Sequence, residues 1–446
     1  MMLVAAVSPV SVDSAAVAGD STATVITLEQ AIRIALSDSP SVKVADKEIE
    51  VQKWAKRGAY AALFPEISAS GTYQRTIKKQ VMSMKMGDET RTIEVGRWNT
   101  YNGSVSATMP LVNAQLWKSL QISGQSVELA VEKARSSRLE MINQVKQAYY
   151  GVLLAKEAFK VYGSVYDNAV QNCELTEKKY NASKASELDL ARAKTAVANA
   201  VPNMYDSENA INLALWQLKA VIGMDLDINI DVAGDLLSFS DGMAAAGEEF
   251  DLSGNSTLKQ LEIQAQQLAA NLKMQQYAFL PSIALSFNYG YSAMEDDFKF
   301  KDYNWFPNSS IALALSIPIF SGGRRYSAAK QARVQSEQLA IQRENTERQL
   351  RIAIRQSVST METAVKSYAS AQEALELAEK AYGITSKSYE VGRSTITDLN
   401  DAQLALTQAK LATSQAVYSF MVAKAGLEST IGADYSEYTT IPTVNE

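Results

Sequence analysis

The chain has 446 residues, with 43 Lys and Arg against 49 Asp and Glu, a formal net charge of −6. That acidic balance gives no reason to expect a nucleic-acid partner. There is no histidine and a single cysteine, Cys173, which removes Ser-His and Cys-His nucleophiles, histidine metal sites, thiolate clusters and intramolecular disulfides together, and with no glycine-rich phosphate loop either, neither an enzyme nor a cofactor is expected.

Residues 1–25 read as a signal-like or disordered segment. Met2 to Val12 is mildly apolar, and Ala16-Val17-Ala18 resembles a small-residue cleavage site. No Lys or Arg precedes it, so the basic region of a signal peptide is missing. No cysteine lies nearby, so a lipid-modified start is not expected. Nowhere do about eighteen apolar residues run together, and no transmembrane helix is expected.

From there the chain matches itself at an offset of about 209 residues. Gln147 falls on Gln356, Tyr180 on Tyr389, Lys184 on Arg393, Asp189 on Asp398, Leu218 on Leu427 and Ile222-Gly223 on Ile431-Gly432. Two structural repeats are expected, 26–224 and 256–433, with a linker over 225–255 and a tail over 434–446. Each repeat reads as helix, two strands, very long helix, tight turn, helix.

The first helix opens at Thr27, with Gln30 three residues on, a capping-box pattern. Ser39-Pro40 marks a break and a second start, and the helix runs on to about Leu63. The second repeat enters through a helix from about Ser256 to Leu280.

Four segments then alternate with a period of two, at about 66–76, 98–109, 282–293 and 309–319. Ile283, Leu285, Phe287, Tyr289 and Tyr291 alternate with Ala284, Ser286, Asn288, Gly290 and Ser292. Leu313 and Leu315 alternate likewise with Ala314 and Ser316. Each run is about ten residues, the length of a tilted membrane strand. One face is apolar; the other is small and uncharged. Tyr73, Trp98, Tyr101, Tyr291, Tyr303 and Trp305 gather toward one end, as at a membrane interface. A soluble antiparallel sheet with one buried face carries the same alternation. If the strands do cross a membrane, four cannot close a barrel and open edges are not tolerated in lipid, so the chain must share a barrel with other copies.

The long helices carry a seam of alternating three- and four-residue spacings, the period of a coiled coil. In the first repeat it runs from Val127 to Tyr180, broken at Arg138 and Thr176; in the second from Leu350 to Tyr389, broken at Ser357 and Thr385. A helix from Asn113 to Tyr180 would be roughly 100 Å long. Cys173 lies on the seam and reads as a small core residue. The helices end at turns near 181–186 and 390–396, and Pro202 is expected to interrupt the helix after the first turn.

Two loop clusters stand apart. Met82, Met84 and Met86 alternate; thioethers suit Cu(I), though a flexible loop with incidental methionines fits as well. Glu295, Asp296 and Asp297 stand beside Lys299 and Lys301, either a cation site or a solvated loop tip.

The segments TLEQAIRIALSDSPSVKVADKEIEVQKW from Thr27, LFPEIS from Leu63, FLPSIALSFNYGY from Phe279, IPIFSGGRR from Ile317 and YEVGRSTITDLNDAQLAL from Tyr389 resemble the TolC family of outer-membrane factors. The resemblance spans roughly Ile26 to Ala433. It implies a mixed α/β membrane protein: a homotrimer whose twelve strands form one β-barrel in outer-membrane lipid and whose long antiparallel coiled-coil helices form a periplasmic α-barrel. It also implies work with a periplasmic adaptor protein and an inner-membrane RND, ABC or MFS transporter, for drug or metal efflux or protein secretion, in a Gram-negative outer membrane. The family's gate positions fall on Asp398 and Asp401, and its latch on Tyr389 and Asp189, with Arg393 beside them. The turn tips, Ser183, Lys184, Gly392 and Ser394, are the implied adaptor docking points. Ser394 stands where the family has a latch arginine, and Ser183 where a glycine is usual. A soluble adaptor-like coiled coil is the competing class, but adaptors have a single helical hairpin, whereas this chain has two and strands of membrane length.

Overall fold

The computed structural model describes residues 24–86, 89–243, 250–433 and 435. The first half holds β1 (Thr24–Ile26), α1 (Leu28–Asp38), α2 (Pro40–Ala61), β2 (Glu66–Arg75), β3 (Gln80–Met86), β4 (Glu89–Val95), β5 (Asn99–Val112), α3 (Ala114–Asn181) and α4 (Glu187–Ile222). After β6 (Ile230–Val232) the order recurs as α5 (Ser256–Tyr277), β7 (Ser282–Glu295), β8 (Phe306–Ser316), α6 (Arg324–Glu390) and α7 (Ile396–Ile431). No helix among the described residues is long and apolar enough to cross a membrane.

The repeats are not the compact units. One unit comprises the chain up to Ser39 with Ile142–Ala246 and Thr360–Ala425; the other comprises Pro40–Met141, Gly247–Ser359 and the chain from Gly426. Each draws on both repeats.

In the unit that begins at Pro40, the sheet has the order β2-β5-β7-β8, every neighbour antiparallel. The central pair, β5 with β7, joins the two repeats. The register puts Ile67, Ala107, Phe287 and Ile311 in one row across the sheet, with Leu285 beside Leu313. On the opposite face it aligns Ser68, Ser106, Asn288 and Ser310. Ser68 and Ser106 hydroxyls bond at 2.9 Å, and Ser70 and Ser104 at 3.0 Å. So one face is apolar and the other a ladder of small hydroxyls. Apolar β8 side chains stay open: Ile311 is 74% exposed and Leu313 65%. At the far end Tyr73 stacks on Tyr101 at 4.9 Å, and Tyr101 meets Phe300 and Tyr303.

The loop methionines sit on a two-stranded hairpin, β3 with β4, where Met82 faces Ile93; the flexible-loop expectation is corrected by that pairing. Asp296 is already engaged. It accepts from Arg97 at 2.7 Å, from Lys79 at 3.2 Å and from the Trp98 N–H at 2.9 Å. These donors, the Arg97 guanidinium first, hold its carboxyl down at about 2, so the acidic loop is an ion-pair tie and not an open cation site. The seam break at Arg138 is also explained: the side chain is buried and donates to Asp46 at 2.5 Å. Its Nη1 has no hydrogen-bond partner.

In the other unit, Thr27 caps α1 with the expected box: its side chain accepts from the Gln30 N–H, and Gln30 accepts from the Thr27 N–H. β1 and β6 form a short parallel pair that the sequence did not announce. Buried Tyr149 of α3 locks it by donating to the Ala233 carbonyl at 2.6 Å. Pro202 lies inside α4, which runs unbroken through it. The expected interruption is therefore corrected: a proline removes one hydrogen bond, and a helix packed along its length can absorb that loss.

Candidate functional site

The two ends of the long helices in the first-described sequence order meet the same problem, four carbonyls without intrahelical donors, and solve it the same way. After α3, the Lys184 N–H donates to the Lys179 carbonyl at 2.8 Å and the Ser183 N–H to Tyr180 at 2.9 Å. After α6, Arg393 donates to Ser388 at 2.7 Å and Gly392 to Tyr389 at 3.1 Å. This is the Schellman arrangement, which needs a left-handed residue. Gly392 supplies it at φ 80°, and Ser183 adopts it at φ 57° despite its side chain.

The helices that follow open with matching boxes. The Ser186 hydroxyl accepts from the Asp189 N–H at 3.1 Å and donates to its carboxylate at 2.7 Å. The Thr395 hydroxyl accepts from the Asp398 N–H at 3.2 Å and donates to that carboxylate at 2.7 Å, while the Thr395 N–H donates at 2.8 Å. The Ser186 hydroxyl, then its N–H, holds the Asp189 carboxyl below the usual range; the Thr395 N–H, then its hydroxyl, does the same for Asp398. Asp398 is thus occupied by its own helix start. Asp401, one turn further along α7, is exposed.

The Tyr389–Asp189 pair is corrected here. Tyr389 is buried, and its hydroxyl meets Thr176 Oγ1 of α3 at 2.5 Å. Thr176 Oγ1 also donates to the Asn172 carbonyl at 2.6 Å, so its one proton is committed and Tyr389 must be the donor. Asp189 instead bonds Ser186 through Oδ2, at 2.7 Å from its hydroxyl and 3.2 Å from its N–H. Thr176 is the position where the α3 seam breaks, which was the available signal for a polar partner.

Around this bond the turn is packed. Ala193, Tyr389, Ile396 and Leu399 form a buried cluster, with Cys173, Leu175 and Tyr382 against it. Burial pushes the Tyr389 phenol and the Cys173 thiol up. Lys179 lies 4.0 Å from the centre of the Tyr389 ring and donates to the Tyr389 carbonyl; burial pushes its ammonium down. Ser394, at the expected arginine position, donates to the Thr385 carbonyl at 3.1 Å. Arg393 and Lys184 contribute backbone N–H groups to the turns and carry exposed side chains.

One residue escaped the sequence reading. Arg192 of α4 donates to Thr397 Oγ1 of α7 at 3.2 Å, linking the two turns. It stands at the repeat counterpart of Asp401, so carrying the alignment three residues past Asp189 on Asp398 would have exposed it. Arg192, Asp401, Asn172 and Gln403 line a groove of about 850 Å³ between α3, α4 and α7. Among the described residues no cluster of three or more acidic, cysteine or histidine side chains is placed to hold a metal.

The family described as outer membrane efflux protein matches this chain over residues 31–224 and 251–433. The alkaline protease secretion protein AprF of Pseudomonas aeruginosa is 22% identical over 304 residues, 67% of this chain and 62% of that protein. The outer membrane protein TolC of Escherichia coli is 20% identical over 348 residues, 75% of this chain and 70% of that protein. The chain thus spans less than two thirds of AprF. Among solved structures, the CmeC outer membrane channel of Campylobacter jejuni shares the fold with a TM-score of 0.73 at 18% identity, over 91% of this chain and 85% of that one.

Proposed function

Because this chain belongs to the outer membrane efflux protein family, we propose that it is the passive outer-membrane channel of an efflux or secretion system. The observation that carries the reading is the sheet. Its strands run 10 to 14 residues, one face is apolar and open, and β2 and β8 each have a neighbour on one side only among the described residues. Lipid tolerates an apolar face but not an open edge. A homotrimer satisfies both demands: twelve strands close a barrel wide enough for a lumen, lined by the serine and asparagine ladder. Outer-membrane lipid then covers Ile311 and Leu313, and the long helices extend into the periplasm. AprF is named for protease secretion, and in the proposed reading this chain works with a periplasmic adaptor protein and an inner-membrane RND, ABC or MFS transporter. The turn tips at Ser183, Lys184, Gly392 and Ser394 are the proposed adaptor contacts.

The two turns are the proposed periplasmic gate. Asp398 holds its turn together, and Asp401 presents charge to the pathway. Three copies of Asp401 around an axis would favour cations and repel anions, an effect screened by salt. Migration in detergent tests the assembly: a heat-sensitive trimer is expected, and a stable monomer with an intact β signal refutes it. Planar-bilayer recording tests the gate. Asp401→Asn should weaken cation selectivity more than Asp398→Asn, and the reverse order would move the selective ring.

A further inference from the structure

We infer that the helix ends adjoining the sheet form a collar that binds the headgroups of anionic phospholipids in the membrane leaflet nearest the helices, an inference that rests on the outer-membrane location proposed above. All of it lies within the unit that carries the sheet. The strands pass into helices at Glu66, Val112, Ser282 and Ser316. In the four segments next to those points, 51–65, 113–127, 263–281 and 317–336, there is not one Asp or Glu. The same segments carry Lys56, Arg57, Lys273, Arg324, Arg325 and Lys330. This is a local reversal of charge in a chain that has more carboxylates than cations overall. Glu66, the first residue of β2, is the nearest carboxylate on the strand side. On the helix side acids resume at Glu50, Glu128, Glu262 and Glu337, the last paired with Arg333 at 3.0 Å.

Large aromatic side chains stand among these cations and remain open: Trp54 is 66% exposed, Phe64 67% and Tyr326 64%. Arg57 lies 4.6 Å from the centre of the Trp54 ring and Lys330 5.8 Å from that of Tyr326. Rings with one apolar body and a neighbouring cation belong at the level of headgroups and ester linkages. Next to Trp54 a hollow of about 370 Å³ is lined by Lys53, Lys56, Arg57, Tyr60 and Phe64, with three cations on its wall for a phosphodiester and aromatic walls for the glycerol and upper acyl carbons. The outer end of the same strands has its own aromatic group in Tyr73, Tyr101 and Tyr303 but has Asp296 tied among its cations. Carboxylate-free basic charge is thus confined to the helix end, and a zwitterionic lipid gains little from it. The occupant that fits is an anionic glycerophospholipid.

The full-length trimer in nanodiscs of phosphatidylcholine containing a minority of phosphatidylglycerol provides the test, with bound lipid counted by native mass spectrometry. Wild type should retain phosphatidylglycerol preferentially, with about fivefold of that preference lost per cation removed. The triple variant Arg57→Gln, Arg324→Gln, Arg325→Gln should lose the preference, and the matching Lys variant should keep most of it, which separates charge from folding. High salt should weaken the preference, and inorganic phosphate at millimolar concentration should leave it intact. Equal retention by wild type and the Gln variant overturns the collar, as does full displacement by inorganic phosphate. Retention of no anionic lipid by wild type, with export lost in the Gln variant, also overturns it and assigns the charge to a protein partner. Conductance recorded on the same samples keeps the two readings apart: a conducting wild type without lipid preference sinks only the collar, and a wild type that forms no channel sinks the outer-membrane reading.

Discussion

Removing the Tyr389 hydroxyl tests which contact restrains the second turn. Tyr389→Phe deletes one neutral bond, to Thr176. The threonine is left with its bond to the Asn172 carbonyl, so no polar group is orphaned and the cost should be about 1 kcal/mol. Thr176→Val is the harsher change although it is nearly isosteric. It leaves a buried phenol without an acceptor, which costs about 1–3 kcal/mol. The double variant should resemble Tyr389→Phe alone, giving a coupling of about 1 kcal/mol or more between the two positions. The assay is hydrogen exchange at the Gly392 and Arg393 amides, whose bonds close the turn. A loss of about 1 kcal/mol speeds exchange about fivefold where local opening limits it. Single-channel conductance should rise in both single variants if that turn gates the pore. Asp189→Asn should couple to Tyr389→Phe more weakly than Thr176→Val does, since Asp189 bonds Ser186 and the Tyr389 hydroxyl bonds Thr176. A coupling to Asp189 larger than that to Thr176, or none to Thr176, refutes the assignment.

Leu313→Arg should cost about 2–4 kcal/mol of folding free energy in bilayers if the residue sits near the midplane, while Ser310→Arg, on the hydroxyl face, should be tolerated better; equal folding yields would reverse the orientation of β8. Asp46→Ala should destabilise the protein by about 2 kcal/mol, below the 3–5 kcal/mol of a fully buried pair because the Asp46 side chain is 40% exposed. Arg138→Met should cost much less, since it removes the charge that Asp46→Ala strands, and denaturant titration checks the order. Ser183→Gly should stabilise by about 1 kcal/mol in the same titration, because it releases a left-handed serine at φ 57°. The Asp189 and Asp398 carboxyls are both held below their usual range, so their cap stabilisation is complete above the ordinary carboxylate range and is lost as pH falls through the depressed values. Exchange at the Ser186 and Thr395 amides should therefore accelerate only on the acid side of about pH 4.

Periodicity made the large features legible. The seam spacing, from Val127 to Tyr180, located the C-terminal end of α3 to within a residue, and the two-residue alternation found all four strands of the sheet with the correct apolar face. The capping box at Thr27 was readable because it is local, two side chains three residues apart. What stayed hidden depends on contacts between distant segments. The β1–β6 pair is three residues long on each side and carries too little pattern to detect. The β3–β4 hairpin shows only the short alternation of Met82, Met84 and Met86, which a flexible loop with incidental methionines carries as well. At the turns the resemblance paired Tyr389 with Asp189, whereas the Tyr389 hydroxyl bonds Thr176. Asp189 stands three residues after Ser186 and bonds that local partner, a contact that sequence spacing reveals, whereas the Tyr389–Thr176 bond joins segments 213 residues apart.

The two turns share one backbone and differ in charge, which assigns them different tasks. At equivalent positions the first repeat has Asp189 and Arg192, and the second has Asp398 and Asp401. Both leading aspartates are consumed by caps, so the contrast rests on Arg192 against Asp401. The cation reaches across to Thr397 at 3.2 Å, from an exposed position, where water competes and such a bond contributes little. Any motion that swings the second turn away from the first must break this link and also the Tyr389–Thr176 bond. Only the latter is buried, ringed by Ala193, Ile396 and Leu399, and only there does opening expose apolar surface as well as a hydroxyl. The resistance to opening therefore resides beneath the turn, in the packing around Tyr389, while Arg192 and Asp401 set the charge that a passing solute meets.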